Sequence, residues 1–202
     1  MRVAYVVYVD ITDLKDKILI MRNALSSDGF ERLMRWTFTD VGKRSRTLIY
    51  RDIKQDYVVK QGWVYSGIQT AKITIGGGAD ISCVIPLQGK RGVIGDTFAA
   101  KGGRRGWKIR GRYRVNAKIV TAGESTLPEE MKHQGGMPPF RNLSWKKVTF
   151  TRKGKKRLPI ARVSGLAVPQ MPLNRSKEAV ETHLLEYTEQ RMDHHFGRLF
   201  KG

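Results

Sequence analysis

The chain has 202 residues and a formal net charge of +20, with 38 Lys and Arg against 18 Asp and Glu. Its hydrophobic content of 40% is enough for a folded core and excludes wholesale disorder. A single cysteine excludes an intramolecular disulfide, and no apolar run approaches the ~20 residues that span a bilayer. The apolar start, Ala4–Val9, is followed closely by acids and has no cleavage pattern, so we expect a soluble chain without a signal peptide.

The first quarter of the chain predicts a strand and two helices. Val and Tyr favour a strand over Val3–Ile11, and Asp13 is placed to cap a short helix after it. A longer amphipathic helix, of about twenty-five residues, is expected after the run Ser26–Asp28, with Ser27 or Asp28 as its cap. Residues at three- and four-residue spacing form its buried stripe: Phe30, Leu33, Met34, Phe38, Val41, Ser45, Leu48, Ile49, Asp52 and Ile53.

The next segment changes from a helical to an alternating period. Val58–Gly67 predicts a short helix, and Ala71–Ile75 and Ala79–Leu87 predict two strands joined by a glycine-rich hairpin turn. A further short strand is expected over Val93–Phe98. Cys83 lies in an apolar run, which is typical of a small buried thiol.

Most of the charge is concentrated in one segment. Residues 88–162 hold twenty Lys and Arg residues and four acids, a net charge of +16. Within them, Trp107–Val120 alternates, which predicts one strand with an apolar face and a ridge of cations. A basic loop follows the last predicted strand, Lys147–Thr151. The residues expected to face DNA or a partner are Arg104, Arg105, Lys108, Arg110, Arg112, Arg114, Lys118, Arg152, Lys153, Lys155, Lys156 and Arg157.

Long connections complete the chain. The proline-containing residues 123–142 predict a loop or arm, residues 165–174 predict an extended linker, and Asn174 is expected to cap a C-terminal helix over residues 174–200. We therefore expect one domain over residues 1–202, with residues 1–25 as an N-terminal extension. Its fold class is α+β, a mainly antiparallel sheet flanked by the long helix and the C-terminal helix.

Residues with catalytic or metal-binding potential are few. His183 and His194 are eleven positions apart, too far for a chelating pair on one helix, and we expect them, like His133 and His195, to be solvated or at an interface. The adjacent acids Glu129–Glu130 lack the further carboxylates that a nuclease needs for its metal ions. We predict no enzymatic activity, no metal and no cofactor.

Two adjacent stretches carry a family resemblance. Val148–Ile160 reads Val-Thr-Phe-Thr-Arg-Lys-Gly-Lys-Lys-Arg-Leu-Pro-Ile, and Val163–Met171 reads Val-Ser-Gly-Leu-Ala-Val-Pro-Gln-Met. Together they resemble the prophage minor tail protein Z family, which carries Phe-x-Arg-x-Gly-Lys-x-Arg-Leu-Pro-Ile, then a glycine, Val-Pro-Gln-Met/Leu and a C-terminal helix. The likeness covers about residues 30–195. The chain departs from the family pattern in the Leu-Ala after Gly165, where the family more usually has Pro-Ser, and in residues 123–142.

The resemblance implies a structural virion protein at the head–tail joint, or neck, of a long-tailed phage, synthesised in the host cytoplasm. It implies a homo-oligomeric ring, with a hexamer and a dodecamer as candidate stoichiometries, that completes the tail around the DNA channel. The implied partners are head-completion or connector proteins, a tail terminator or tail tube protein, and DNA in the channel, with no membrane. The residues expected to contact partners or neighbouring subunits are Pro138, Pro139, Phe140, Val168, Pro169, Gln170 and Met171.

Two other functions fit the same residues. A sequence-independent nucleic-acid-binding protein outside any virion is the leading alternative, because cations neutralise phosphates without reading bases. Trp107, Tyr113 and Trp145 lie among these cations and suit stacking on single strands, although the alternation also places Trp107 and Tyr113 toward a core. A metal-dependent nuclease is the third possibility.

Overall fold

The computed structural model describes residues 3–9, 11–75, 81–102, 108–109, 112–113, 115–122, 125–126, 140–141, 148–152 and 158–201. These residues form the expected α+β fold, with a long helix, a C-terminal helix and antiparallel sheets. The helices are α1 (Lys15–Ala24), α2 (Ser27–Asp56), α3 (Gln61–Gly67) and α4 (Lys177–Lys201). A 3-10 turn at Thr12–Leu14 precedes α1, and a π-helical turn at Pro172–Ser176 precedes α4. The strands are β1 (Val3–Tyr8), β2 (Lys72–Ile75), β3 (Ile81–Gly89), β4 (Arg91–Val93), β5 (Ala99–Gly102), β6 (Lys108–Ile109), β7 (Arg112–Tyr113), β8 (Val115–Lys118), β9 (Ser125–Thr126), β10 (Phe140–Arg141), β11 (Thr149–Arg152), β12 (Ile160–Arg162) and β13 (Ser164–Ala167).

Helix α2 confirms the predicted buried stripe and extends beyond the predicted length. All ten residues of the stripe are buried, the polar Ser45 and Asp52 included, and the helix has 30 residues. Its cap is Ser26 rather than Ser27 or Asp28, because the Ser26 Oγ accepts a hydrogen bond from the Gly29 N–H at 3.2 Å. The short helix before it also differs from the prediction, since α1 begins after Leu14 without a side-chain cap from Asp13.

Helices α2 and α4 pack side by side in opposite directions. Asp40, at the middle of α2, contacts His195 in the last third of α4, whereas Asp56 at the end of α2 contacts Ser176 just before α4. The apolar residues that α4 buries against this core are Val180, Leu184 and Met192, with Leu185, Tyr187, Phe196 and Leu199 partly buried around them. Helix pairing of this kind is stabilised mainly by the burial of these apolar stripes.

The predicted strand pair is confirmed as part of a three-stranded antiparallel sheet. Its order is β1-β3-β2, and Ile75 pairs with Ile81 at the end of the β2–β3 hairpin. Helix α2 lies on this sheet, and Gly42 permits the close approach, because a Cβ at that position would lie 3.1 Å from the Ala71 Cβ. Cys83 on the central strand is 1% exposed, as predicted, and burial raises the pKa of its thiol to about 11.

The segment predicted as a strand over Val93–Phe98 is instead a strand end and a tight turn. Strand β4 stops at Val93, and Gly95 adopts a φ of 93°, a left-handed conformation that favours glycine. The turn closes with a hydrogen bond from the Gly95 N–H to the Phe98 carbonyl at 2.7 Å. It places the Phe98 side chain in the core, against the ring of Trp63 at 5.8 Å between centroids.

Two other expected connections are structured. Residues 165–174, predicted as an extended linker, form most of β13 and the π-helical turn, and Pro172 and Ser176 are buried there. Asn174 therefore lies inside this turn and does not cap α4. The predicted arm, residues 123–142, includes β9, which pairs with β8, and β10, which pairs with β11, while residues 127–139 lie outside the described part of the chain.

Candidate functional site

Few of the predicted basic residues fall in the described part of the chain. Lys118 is half-buried on β8, and the backbones of Lys108, Arg112 and Arg152 are placed in β6, β7 and β11. The others lie outside the described residues: Arg104, Arg105, Arg110, Arg114, Lys153, Lys155, Lys156 and Arg157.

The single cationic strand predicted over Trp107–Val120 is corrected by the strand pairing. Strands β6 and β7 pair with each other in antiparallel register, Lys108 opposite Tyr113 and Ile109 opposite Arg112. Strand β7 therefore runs antiparallel to β6 instead of continuing it. The predicted ridge of cations required a single strand over Trp107–Val120, with cations on one of its faces. The pairing of β6 with β7 removes that basis for the ridge.

Three of the four predicted partner contacts at residues 168–171 are corrected, because the structure places them in the core. Val168 and Met171 are 1% and 0% exposed, and Pro169 is buried too, so their side chains belong to the core of this chain. Val168 packs tightly on α3, where a Cβ added to Gly67 would lie 2.8 Å from the Val168 Cβ. Gln170 is half-buried, and its Oε1 accepts a hydrogen bond from the Ala167 N–H at 2.9 Å.

The other predicted contacts lie at the end of the arm. Phe140 starts β10, where its backbone pairs with that of Phe150. Pro138 and Pro139 fall outside the described residues.

The clearest charged surface in the described residues lies on the outer side of α2. Between Thr39 and Gln55, every exposed charged residue of this helix is a cation. We call these residues the basic α2 face: Lys43, Arg44, Arg46, Arg51 and Lys54. The Arg46 Nε donates to the Ile68 carbonyl at 3.2 Å, and the Arg51 Nε lies 3.4 Å from Asp52. Lys43, Arg44 and Lys54 have no ion-pair or hydrogen-bond partner among the residues that the structure describes.

Helix α4 carries the opposite charge on its outer side. Between Glu178 and Asp193, every exposed charged residue of α4 is an acid. With the half-buried Glu189 they form what we call the acidic α4 face: Glu178, Glu181, Glu186, Glu189 and Asp193. Lys17 of α1 already binds one end of it, with its Nζ 2.8 Å from both Glu189 and Asp193. Burial lowers the pKa of Lys17, but these two acids outweigh that effect and raise it above its ordinary value.

A set of partly buried polar contacts joins the C-terminal half of α2 to α4 and the turn before it, and we call it the polar seam. At one end, Asp40 accepts a hydrogen bond from Arg191 and its Oδ2 lies 3.0 Å from the His195 Nε2. Toward the other end, the Asp52 Oδ1 lies 3.0 Å from the His183 Nδ1. At the C-terminal end of α2, the Ser176 Oγ donates a hydrogen bond to Asp56 at 2.6 Å. The members of the polar seam are Asp40, Asp52, Asp56, Ser176, His183, Arg191 and His195.

His195 is only 4% exposed, so the expectation that it is solvated or at an interface is wrong. Burial lowers its pKa, and the charges of Arg191 and His194 lower it further, so the pKa stays below its ordinary value despite the hydrogen bond with Asp40. A neutral ring must then carry its proton on Nε2 to donate to the Asp40 carboxylate, which only accepts. Burial raises the pKa of Asp40, but the hydrogen bonds and charges of Arg191 and His195 outweigh it and lower that pKa overall.

These two lowered pKa values predict that acid weakens the polar seam. The unfolded chain protonates His195 near its ordinary pKa of 6.5, above the pKa of the folded chain, so stability declines as the pH falls below 6.5. We expect the Tm to fall between about pH 7.5 and about pH 5, and His195→Gln to make this fall smaller. Thermal melts followed by circular dichroism test it, and an equally steep fall in the variant contradicts it.

The described residues contain no group of three or more His, Cys, Asp or Glu side chains placed to hold a metal ion. Within the same ranges, no helix combines the length and the apolar character needed to cross a bilayer. Comparison of the chain with protein-family models, curated proteins and solved structures finds no match.

Proposed function

We propose that this chain is a structural virion protein at the head–tail joint of a long-tailed phage, where it forms a ring that completes the tail and acts without catalysis. The observation that carries the proposal is the pair of stretches at residues 148–160 and 163–171, which resemble the minor tail protein Z family. The described parts of these stretches form β11, β12, β13 and the approach to α4. The resemblance therefore falls on residues that build the framework of the fold.

The charge distribution supports the same proposal. A ring around a DNA channel multiplies the charge of each protomer, and the chain supplies +16 within residues 88–162. The basic α2 face adds further cations, and most of them have no ion-pair or hydrogen-bond partner among the described residues. In this proposal the neighbours are connector proteins on the head side and a tail terminator or tail tube protein on the other side.

The mass of the native protein tests the proposal. We expect native mass spectrometry and electron microscopy of the purified chain to show one discrete closed oligomer, with weak affinity for DNA. A monomer that binds duplex DNA tightly, with an affinity that falls steeply as salt rises, instead supports the sequence-independent nucleic-acid-binding alternative. The basic α2 face is the specific feature that favours this second candidate.

The arm gives a second test of the assembly role. Deletion of residues 123–142 would remove the paired strands β9 and β10, so the sharper variant replaces only residues 127–139 with a Gly/Ser linker of the same length. We expect the replaced chain to keep its Tm within about 2 °C, since β9 and β10 are both retained, but to fail in ring or virion assembly. Normal assembly of this variant would exclude a role for the arm.

A further inference from the structure

We infer that the basic α2 face of one copy of this chain docks onto the acidic α4 face of another copy. The two faces have opposite charge and belong to one protomer, so each copy offers one surface to each of two neighbours. Such a contact is heterologous, and it closes into a ring when the rotation between copies permits. The docking is argued from the two faces alone, whereas closure into a ring rests on the proposed function.

The two faces are similar in length as well as opposite in charge. At 1.5 Å per residue, Lys43–Lys54 spans about 16 Å along α2, and Glu178–Asp193 spans about 22 Å along α4. Several cations can therefore meet several acids at once. This matters because a single exposed ion pair contributes little to association, whereas a complementary set of charges fixes the register and speeds the encounter.

Contacts within the protomer show what the acidic α4 face binds and what it leaves free. Lys17, from a different helix, places its ammonium 2.8 Å from both Glu189 and Asp193, so this face already accepts a lysine from a packing helix. Among the described residues, Lys177 approaches Glu181 at 3.9 Å, and no partner contacts Glu178 or Glu186. These two acids are therefore available to the unpaired cations of a second copy.

Unpaired cations on α2 could also meet nucleic acid, but the charges of this chain favour a second copy. Duplex DNA would use the basic α2 face and leave the acidic α4 face exposed beside it, where it repels phosphate. Docking between copies uses both faces, because each contact joins the basic α2 face of one copy to the acidic α4 face of the next. The two occupants differ in a measurable way, since only self-docking depends on the acidic residues as partners.

Charge reversal tests the inference. We expect the wild-type chain to associate in about 50 mM salt and to dissociate in about 500 mM, where the screening length is short. Lys43→Glu/Lys54→Glu and, separately, Glu178→Lys/Glu186→Lys should each weaken association at least about tenfold. The variant with all four changes should regain it to within about threefold, because the changed positions of the two faces again carry opposite charges. Sedimentation velocity measures the association.

Matched controls separate docking from misfolding and from net charge. Lys15→Glu/Arg22→Glu replaces two exposed cations of α1 and changes the net charge by the same amount as Lys43→Glu/Lys54→Glu. This control should associate like the wild type. Glu and Lys both favour helix, so circular dichroism spectra should be unchanged in every variant. A monomeric wild type at low salt, or a folded four-change variant that stays dissociated, overturns the inference.

Two further outcomes distinguish this inference from the proposed function. A discrete ring that forms in the wild type and in both reversed pairs overturns the docking surfaces and leaves the neck role standing. Loss of DNA binding in Lys43→Glu/Lys54→Glu, with association unchanged, overturns the docking and assigns the basic α2 face to nucleic acid.

Discussion

Replacement of Phe98 by alanine is expected to destabilise the fold by about 3–5 kcal/mol, the usual range for a phenylalanine removed from a packed core. The side chain is 1% exposed and packs edge-on against Trp63. Gly92 of β4 and Gly165 of β13 make room for its ring, since a Cβ on either would lie 2.8 or 2.7 Å from the Phe98 Cε2. The cavity left by alanine is therefore bounded by backbone that cannot easily move inward.

Urea unfolding measures the loss, and two further variants make it specific. Tyr8→Ala removes an aromatic that is 64% exposed and should change the free energy of unfolding by no more than about 0.5 kcal/mol. Gly165→Ala should cost about 1–3 kcal/mol through overpacking, and less in combination with Phe98→Leu. A cost for Gly165→Ala that stays the same in both backgrounds would contradict direct contact between the added methyl and the ring.

The second large effect is expected at Asp52, whose side chain is fully buried in the polar seam. His183→Ala should destabilise the chain by about 2–4 kcal/mol, because it leaves the carboxylate with Arg51 alone, at 3.4 Å. The Asp52 Oδ2 already has no hydrogen-bond partner among the described residues. Asp52→Leu should in contrast be neutral or stabilising, since a buried charge is replaced by an apolar group of similar size.

The asymmetry between the two variants has a geometric cause. The side chains of His183 and Arg51 are 33% and 52% exposed, so both can turn to water once Asp52 is gone. The buried carboxylate has no such alternative when His183 is removed. The double variant His183→Ala/Asp52→Leu should therefore recover most of the stability in chemical denaturation. Equal losses in the two single variants would mean that the carboxylate stabilises the fold.

Much of the helical architecture could be predicted from the sequence because it depends on local periodicity. The buried stripe of α2 was predicted residue by residue, including Ser45 and Asp52, since the 3.6-residue period fixes a face regardless of polarity. The predicted cap, Ser27 or Asp28, lies one or two residues past the observed one, because Ser26, Ser27 and Asp28 are all suitable caps and only the backbone conformation selects one.

The strand predictions failed where a turn interrupts an alternating pattern. Trp107–Val120 alternates throughout, but β6 and β7 fold back on each other within it, and alternation alone does not detect a reversal. The same limit applies to Gly95, whose positive φ ends the predicted strand. Pro169 and Pro172 suggested an extended linker, yet proline is also favoured in the first turn of a helix.

Charge counts over long segments of the sequence do not reveal the basic α2 face or the acidic α4 face. Residues 1–87 hold thirteen basic and nine acidic residues, which suggests a nearly balanced surface. Three of those acids take part in the polar seam, Asp56 at the end of α2 together with Asp40 and Asp52, so the charged residues that α2 exposes between Thr39 and Gln55 are all cations. The partners of Asp40 and Asp52 on α4 lie more than 130 positions away in the chain, and no local pattern specifies such contacts.

The buried thiol on the central strand makes this protein convenient to label. A thiol with a pKa of about 11 is almost wholly protonated at neutral pH, and Cys83 is also shielded from reagents. A cysteine introduced at an exposed position of α2 or α4 would therefore take a maleimide dye without removal of the native one. Energy transfer between dyes on two copies could then report assembly in real time, while slow reaction of Cys83 itself would report opening of the β1-β3-β2 sheet.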